Sequence, residues 1–232
     1  MLSKTYTDVV RILKRVLTVV VVSIVFYFLI TNLVKNWQKI PFDSLHFHSL
    51  NLIISYVFLF LNFLIFVEGW RNIMIKFGHS ISFKNAFWII SSSQIAKYVP
   101  GGIWFALGRV YLGKNRNLKE ENVALSVVVE TGLTFLVGIL LFLLSVSFVS
   151  QKIFANFLYV IPIFFLFLIV LYPPILNRVI NFALQILKKS NIKITISYSQ
   201  ILKLSIYFFG LWIAQIIGFY FLINAIYPMP IS

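Results

Sequence analysis

The 232-residue sequence has no cysteine, which excludes disulfides and thiolate metal centres. Charge is scarce as well: 11% of residues are charged, and only six of them are acidic against twenty basic. A soluble domain carries about 25% charged residues. No polar stretch is long enough to fold on its own, so a catalytic domain of typical size, roughly 100–150 residues, has no place in the chain. Nucleophile–base arrangements, phosphate-binding Walker loops and paired-carboxylate motifs are missing too. No internal repeat is strong enough to claim.

What remains is hydrocarbon. Hydrophobic residues make up 60% of the chain, 25 of them phenylalanine, and the mean hydropathy is +0.95. These values identify an all-α integral membrane protein, expected as a single polytopic domain over 1–232. Five segments approach the ~20 apolar residues that a transmembrane helix requires: Val16–Val34, Leu50–Val67, Ala124–Val149, Phe154–Leu171 and Leu204–Ile226. The first follows Lys4, Arg11, Lys14 and Arg15, but its apolar run is too long for a signal peptide and no small-residue cleavage site follows. It reads as a retained anchor. The net charge of +14 lies between apolar spans. It points to topology and anionic lipid, not to nucleic acid.

Residues 85 to 112 do not fit a simple span. Asn85–Ala96 is apolar around Ser91, Ser92, Ser93 and Gln94; then come KYVPGG and Ile103–Leu112. Each half predicts a helix of roughly 16–20 Å at about 1.5 Å per residue, about half the ~30 Å hydrocarbon core. Pro100 biases Val99 away from helix, and Gly101 and Gly102 admit backbone angles that other residues avoid. A re-entrant hairpin of two half-helices, entering and leaving on one side, is therefore expected. With the N-terminus cytoplasmic, that topology places fifteen of the twenty basic residues in cytoplasmic segments. Only Lys35, Lys39 and Lys152 lie outside, with Lys97 and Arg109 in the hairpin. A single crossing would weaken this positive-inside bias badly. Two further stretches, DVVRILKRVL and ILNRVINFALQILKK, carry an apolar face and read either as interfacial helices on an anionic leaflet or as extensions of adjoining spans.

A few polar residues could carry chemistry. Broken backbone at membrane depth is tolerated only against protein or water. If Pro100, Gly101 and Gly102 form the hairpin tip, the helix starting near Ile103 directs free N–H groups and its positive dipole end inward. Lys97 lies just before the tip, with Ser93 four positions earlier on the same helical face, so a lipid phosphate is the natural ligand. The alternative is a simple turn with Lys97 snorkelling to the interface. Glu130 lies six residues inside a span, roughly 9 Å deep at helical rise. A lone carboxylate there needs a partner, and Arg109 is the expected one, either as a structural ion pair or as a gate. Glu68, with Trp70 and Arg71, reads as a helix boundary with an aromatic anchor, or as a group facing a cavity with Ser93 and Gln94. His46 and His48, near Asp43, lack further ligands, so no metal or other cofactor is expected.

The segments EGWRNIMIKFG, SSSQIAKYVPGGIWFALGRVYL and VALSVVVETGL together resemble the lysylphosphatidylglycerol synthase transmembrane-region family, most specifically over about 68 to 135. The resemblance implies a flippase-like polytopic protein that handles or translocates lipids. It puts Lys97, Tyr98, Pro100, Gly101, Gly102, Arg109 and Glu130 at motif positions. Some relatives follow the helix glutamate with arginine, where this chain has Thr131. Members typically continue into a second Pro-Gly-Gly half, so this sequence reads as a shortened member or a fragment.

The function expected is therefore binding, and with it translocation, of an anionic phospholipid or lipid-linked sugar phosphate at the cell (inner) membrane, without an enzymatic step of its own. The alternatives are a non-catalytic membrane subunit and a membrane-embedded transferase of head-group or glycolipid synthesis. The transferase would need a base or metal site, for which the sequence offers only Glu130 and distant histidines. Expected partners are anionic membrane lipids, a second copy of the chain, or a lipid-modifying enzyme or glycosyltransferase.

Overall fold

The computed structural model describes residues 20, 23–24, 26–37, 47–98, 102–149, 157–158, 160–186 and 196–227. The regular structure among them is entirely helical: α1 over 26–37, then α2 (Ser49–Lys76), α3 (Phe83–Gln94), a 3₁₀ turn (Ile95–Tyr98), α4 (Trp104–Lys114), α5 (Glu120–Val149), α6 (Val160–Val170), α7 (Pro173–Ile186) and α8 (Tyr198–Ile226). Of these, α2, α5 and α8 are long and apolar enough to cross a bilayer. The protein is an all-α, membrane-embedded chain.

Each long helix begins or ends in polar sequence beyond its apolar run. α5 opens with Glu120 and Glu121 in its first turn, where carboxylates face the positive end of the helix dipole. α8 opens with a capping box: Ser197 accepts from the Gln200 backbone, and the Gln200 side chain accepts from the Ser197 N–H. α3 is capped by Ser82, whose hydroxyl accepts from Asn85 N–H at 3.3 Å.

One sequence expectation is corrected at α2. The EGWR stretch is no helix boundary, because α2 continues to Lys76. Glu68 lies 2.6 Å from Arg71 and 2.7 Å from Asn72, so these polar groups satisfy one another at i,i+3 and i,i+4 spacing and the helix need not stop. Trp70 is fully buried and is a core residue, not an interfacial anchor. Of the expected segment Phe154–Leu171, the described helix is α6, whose 11 residues span about 16 Å. After it the chain bends at Leu171 and Tyr172 into α7, a separate helix that starts on Pro173, a residue favoured at that position. The DVVRILKRVL stretch, Pro100, Gly101 and the outer-loop His46 lie outside the described residues.

Two apolar cores hold the bundle. One joins α5, α6, α7 and α8 through residues such as Leu133, Leu171, Leu176 and Phe208. The other joins α2, α3 and the start of α5 through Trp70, Met74, Ile89 and Val123. α2 and α8 pack closely along their lengths: Gly218 brings its backbone so near Leu59 that an added Cβ would lie 2.9 Å from that side chain. Asn62 donates to Leu211 O at 2.7 Å and Asn51 to Asn224 O at 3.2 Å. Small residues and side-chain amides are how helices associate where apolar contact alone gives no preference over lipid.

α3 and α4 form a hairpin. Its outer ends meet where Arg116, just beyond α4, donates to Asn85 Oδ1 at 2.8 Å. Deeper in, Gly108 of α4 packs on Ser93 and Ala96. Lys114 and Glu120 close the turn into α5 at 2.7 Å. The hydrogen bond to Glu120 raises the Lys114 pKa above its ordinary value.

Candidate functional site

α5 carries a line of polar residues at four-residue spacing, Asn122, Ser126, Glu130 and Thr134, which share one helical face. Each meets a different element. Asn122 donates to Phe77 O at 3.3 Å and pairs with His79 Nε2 at 2.9 Å. Ser126 accepts from Trp70 Nε1 of α2 at 2.8 Å and donates to Val123 O. Glu130 Oε2 accepts from Arg109 Nη1 of α4 at 2.5 Å. The Thr134 carbonyl accepts from Trp212 Nε1 of α8 at 2.9 Å. α5 is thus the spine against which α2, α4 and α8 are registered.

The Arg109–Glu130 pair is the most deeply placed charge in the described protein. Arg109 is 0% exposed and Glu130 5%. Only Nη1 of the guanidinium reaches the carboxylate; Nε and Nη2 are buried and find no hydrogen-bond partner among the described residues. The cation is instead enclosed by rings, with its central carbon 5.7 Å from Phe66, 5.7 Å from Trp70 and 6.0 Å from Phe105. Cation–π attraction of about 0.5–2 kcal/mol per ring offsets part of the desolvation cost but supplies no acceptor for the remaining N–H groups. Buried polar groups are normally satisfied, and the two idle donors of Arg109 are an exception among the described residues.

Lys97 adds a second positive charge. Its ammonium lies 5.7 Å from the far ring, Phe105, and it feels the charges of both Arg109 and Glu130. The buried Arg109 and the exposed Lys97 therefore place two cations near one carboxylate at the inner end of the α3–α4 hairpin, with Arg109 alone bonded to it. Gly102 follows at φ +69°, a left-handed conformation that an L side chain rarely adopts. The α4 N-cap position, Ile103, supplies no side-chain cap.

The other expected site residues are placed differently. Tyr98 is 90% exposed, so it takes no part in the enclosure around Arg109. Ser93 does not line a cavity with Lys97: it is buried, donates to Ile90 O at 2.9 Å and packs on Gly108. Gln94 is half-buried. Glu68 lies on the side of α2 roughly opposite Phe66 and Trp70 at ~100° per residue, and its carboxylate is engaged by Arg71 and Asn72. Arg71 in turn donates from Nε to Ile81 O at 2.9 Å, so this group braces the α2–α3 turn instead of facing the cationic site.

Phe66, Phe105, Trp70 and Ser126 were not expected at the site. The four-residue spacing of Asn122, Ser126, Glu130 and Thr134 is a signal that could have revealed Ser126. Nothing in the sequence separates Phe66 or Phe105 from the other phenylalanines. A cleft of about 280 Å³ opens between α5 and α6, with walls that include Val127, Val128, Thr131, Gly132 and Leu171. It is almost wholly apolar. No group of three or more His, Asp or Glu side chains converges on a metal position among the described residues.

Compared with known proteins, the chain matches no family model, no curated protein and no solved structure.

Proposed function

We propose that this membrane-embedded chain is a flippase-like protein of the inner membrane that binds an anionic phospholipid or a lipid-linked sugar phosphate and carries its head group across. The observation behind this reading is the Arg109 guanidinium, fully buried with Nε and Nη2 unpaired, beside Lys97 and balanced by the single carboxylate of Glu130. The excess positive charge in a low-dielectric surrounding favours an anion, and a fork of idle N–H donors suits phosphate oxygens. Apolar walls such as those between α5 and α6 suit an acyl chain.

In this reading the chain crosses the membrane about five times with its N-terminus in the cytoplasm. The α3–α4 hairpin enters and leaves on the cytoplasmic side, as the resemblance to the lysylphosphatidylglycerol synthase transmembrane-region family implies. The phosphate docks between Lys97 and Arg109. Glu130 holds Arg109 when the site carries no lipid and yields it to the incoming phosphate.

Native mass spectrometry of purified protein, with lipid photocrosslinking, tests the reading. Wild type is expected to retain one anionic lipid class selectively, and Lys97→Ala to lose that selectivity while remaining folded. Equal, non-selective lipid carry-over in both proteins would refute it and leave a structural membrane subunit as the better account.

A further inference from the structure

Phe105 stands against both cations of the site. Two cations face one aromatic ring: Lys97 Nζ lies 5.7 Å from its centroid and the Arg109 guanidinium carbon 6.0 Å. The two positive groups repel one another, and an aromatic ring near both attracts each of them. Phe105 precedes Arg109 by four residues on α4, so its side chain lies over the guanidinium on the same helical face.

The three rings around Arg109 are not equivalent. Trp70 is fully buried in the core joining α2 and α3, tied to Ser126 by its indole N–H, and Phe66 packs against that core. Neither can move without disturbing it. Phe105 belongs to neither packed core among the described residues and is only half-buried. It is the second residue of α4, after Trp104, with Gly102 at φ +69° three positions earlier. A phenylalanine reorients about two side-chain torsions, and Phe105 stands outside both packed cores.

The idle Nε and Nη2 of Arg109 are sealed from outside contact. An acceptor can reach them only if part of the enclosure moves. We infer that Phe105 is the gate of this site: in the closed form its ring lies against the exposed Lys97 and covers the buried Arg109, and its displacement opens the guanidinium to a phosphate group that Lys97 has already met. The inference rests on the proposed anion site and adds the residue that controls entry. The ligand chemistry is a phosphate mono- or diester, carried on a lipid or free in solution. In the closed form the cation–π contacts replace the anion, so the buried charge is not left without attraction. In the open form the phosphate takes over both cations, and Phe105 is free to pack against the ligand's apolar portion.

The test is the association rate of a fluorescent short-chain phosphatidic acid with detergent-purified protein, measured by stopped flow. The proteins are wild type, Phe105→Ala and Phe105→Leu, each with and without Lys97→Ala, and melting temperature reports folding. Removing the ring abolishes two cation–π contacts and the shield, so both Phe105 variants are expected to bind about tenfold faster, equivalent to ~1.4 kcal/mol. Lys97→Ala is expected to remove binding in all backgrounds. A merely structural role for Phe105 would slow association or lower the melting point, and would not speed entry. If Phe105→Ala does not fold, Phe105→Leu, which removes the ring but keeps a smaller apolar side chain at the position, decides the matter. Wild-type binding with unchanged rates in a folded Phe105 variant would overturn the gate and leave the anion site standing. An absence of Lys97-dependent binding in every protein would overturn both. Competition separates the two sources: displacement by millimolar inorganic phosphate is expected if the site reads the phosphate alone, and displacement only by unlabelled short-chain phosphatidic acid if it reads a lipid head group with its chain.

Discussion

Replacing Glu130 by leucine leaves a buried guanidinium without its carboxylate, and the cost follows from the surroundings of Arg109. Arg109 is 0% exposed, its Nη1 donates to Glu130 at 2.5 Å, and its Nε and Nη2 are already unpaired. Removing one partner of a buried ion pair costs about 3–5 kcal/mol. The rings of Phe66, Trp70 and Phe105 keep holding the cation, so the loss belongs at the lower end, about 3 kcal/mol. Replacing both residues, as in Arg109→Met with Glu130→Leu, removes the uncompensated charge and its desolvation cost together. The double variant should lie within about 1 kcal/mol of wild type or above it, since apolar replacements of buried pairs are often neutral or stabilising. Unfolding by SDS titration in mixed micelles, followed by helical circular dichroism, supplies the four corners of the double-mutant cycle. The double variant should recover stability and still fail to retain an anionic lipid selectively. If Glu130→Leu alone costs less than about 1 kcal/mol, the site is wetter than the structure describes and the argument from idle donors collapses.

Three further perturbations probe the frame around the site. Trp70→Phe removes the hydrogen bond to Ser126, leaves that hydroxyl its bond to Val123 O, and should cost about 1 kcal/mol in the same titration. Gly218→Leu drives a side chain into Leu59, which already stands 2.9 Å from an ideal Cβ; the titration should show a loss of about 1–3 kcal/mol. His79 has its pKa lowered from 6.5 by burial first and by the Lys119 charge second. Its neutral ring accepts from Asn122, so the folded state disfavours protonation. The stability it contributes is present above about pH 6.5 and is lost as pH falls through the lowered value. Melting temperatures between pH 7.5 and 5 should fall for wild type more than for His79→Gln.

Much of the fold follows from simple apolar counting, because a helix in lipid needs only length and the absence of charge. That rule failed at the end of α2 for a specific reason. Glu68, Arg71 and Asn72 look like a polar boundary when counted singly, yet they satisfy one another along one helix, and Trp70 beside them turns into the core. The separation of α3 from α4, with Gly102 at positive φ, was readable from Pro100 and the glycines that follow it. The need for a counter-charge at Glu130 was readable from its isolation in an apolar run, and the structure supplies Arg109 there. Phe66 and Phe105 were not readable. Their role depends on three-dimensional proximity to a cation, and among 25 phenylalanines no local pattern marks them. Ser93 erred the other way: helical phase set it beside Lys97, but the close approach of Gly108 from α4 covers it.

The seam between α2 and α8 also has a history in time. Asn62 and its acceptor, Leu211 O, are 149 residues apart, and Asn51 is 173 residues from Asn224. At roughly 5–20 residues per second, a ribosome needs on the order of 10–30 s to make the intervening chain. Through that interval α2 exists with two amide side chains and no α8 to receive them. The newborn helix must lend those amides to other acceptors, in its own backbone, in the translocation machinery or in a membrane chaperone, and surrender them when α8 arrives. These two amides reach their native acceptors only once α8 has been made, and a change that weakens the seam should appear first as prolonged association with assembly machinery, before any loss in the purified protein.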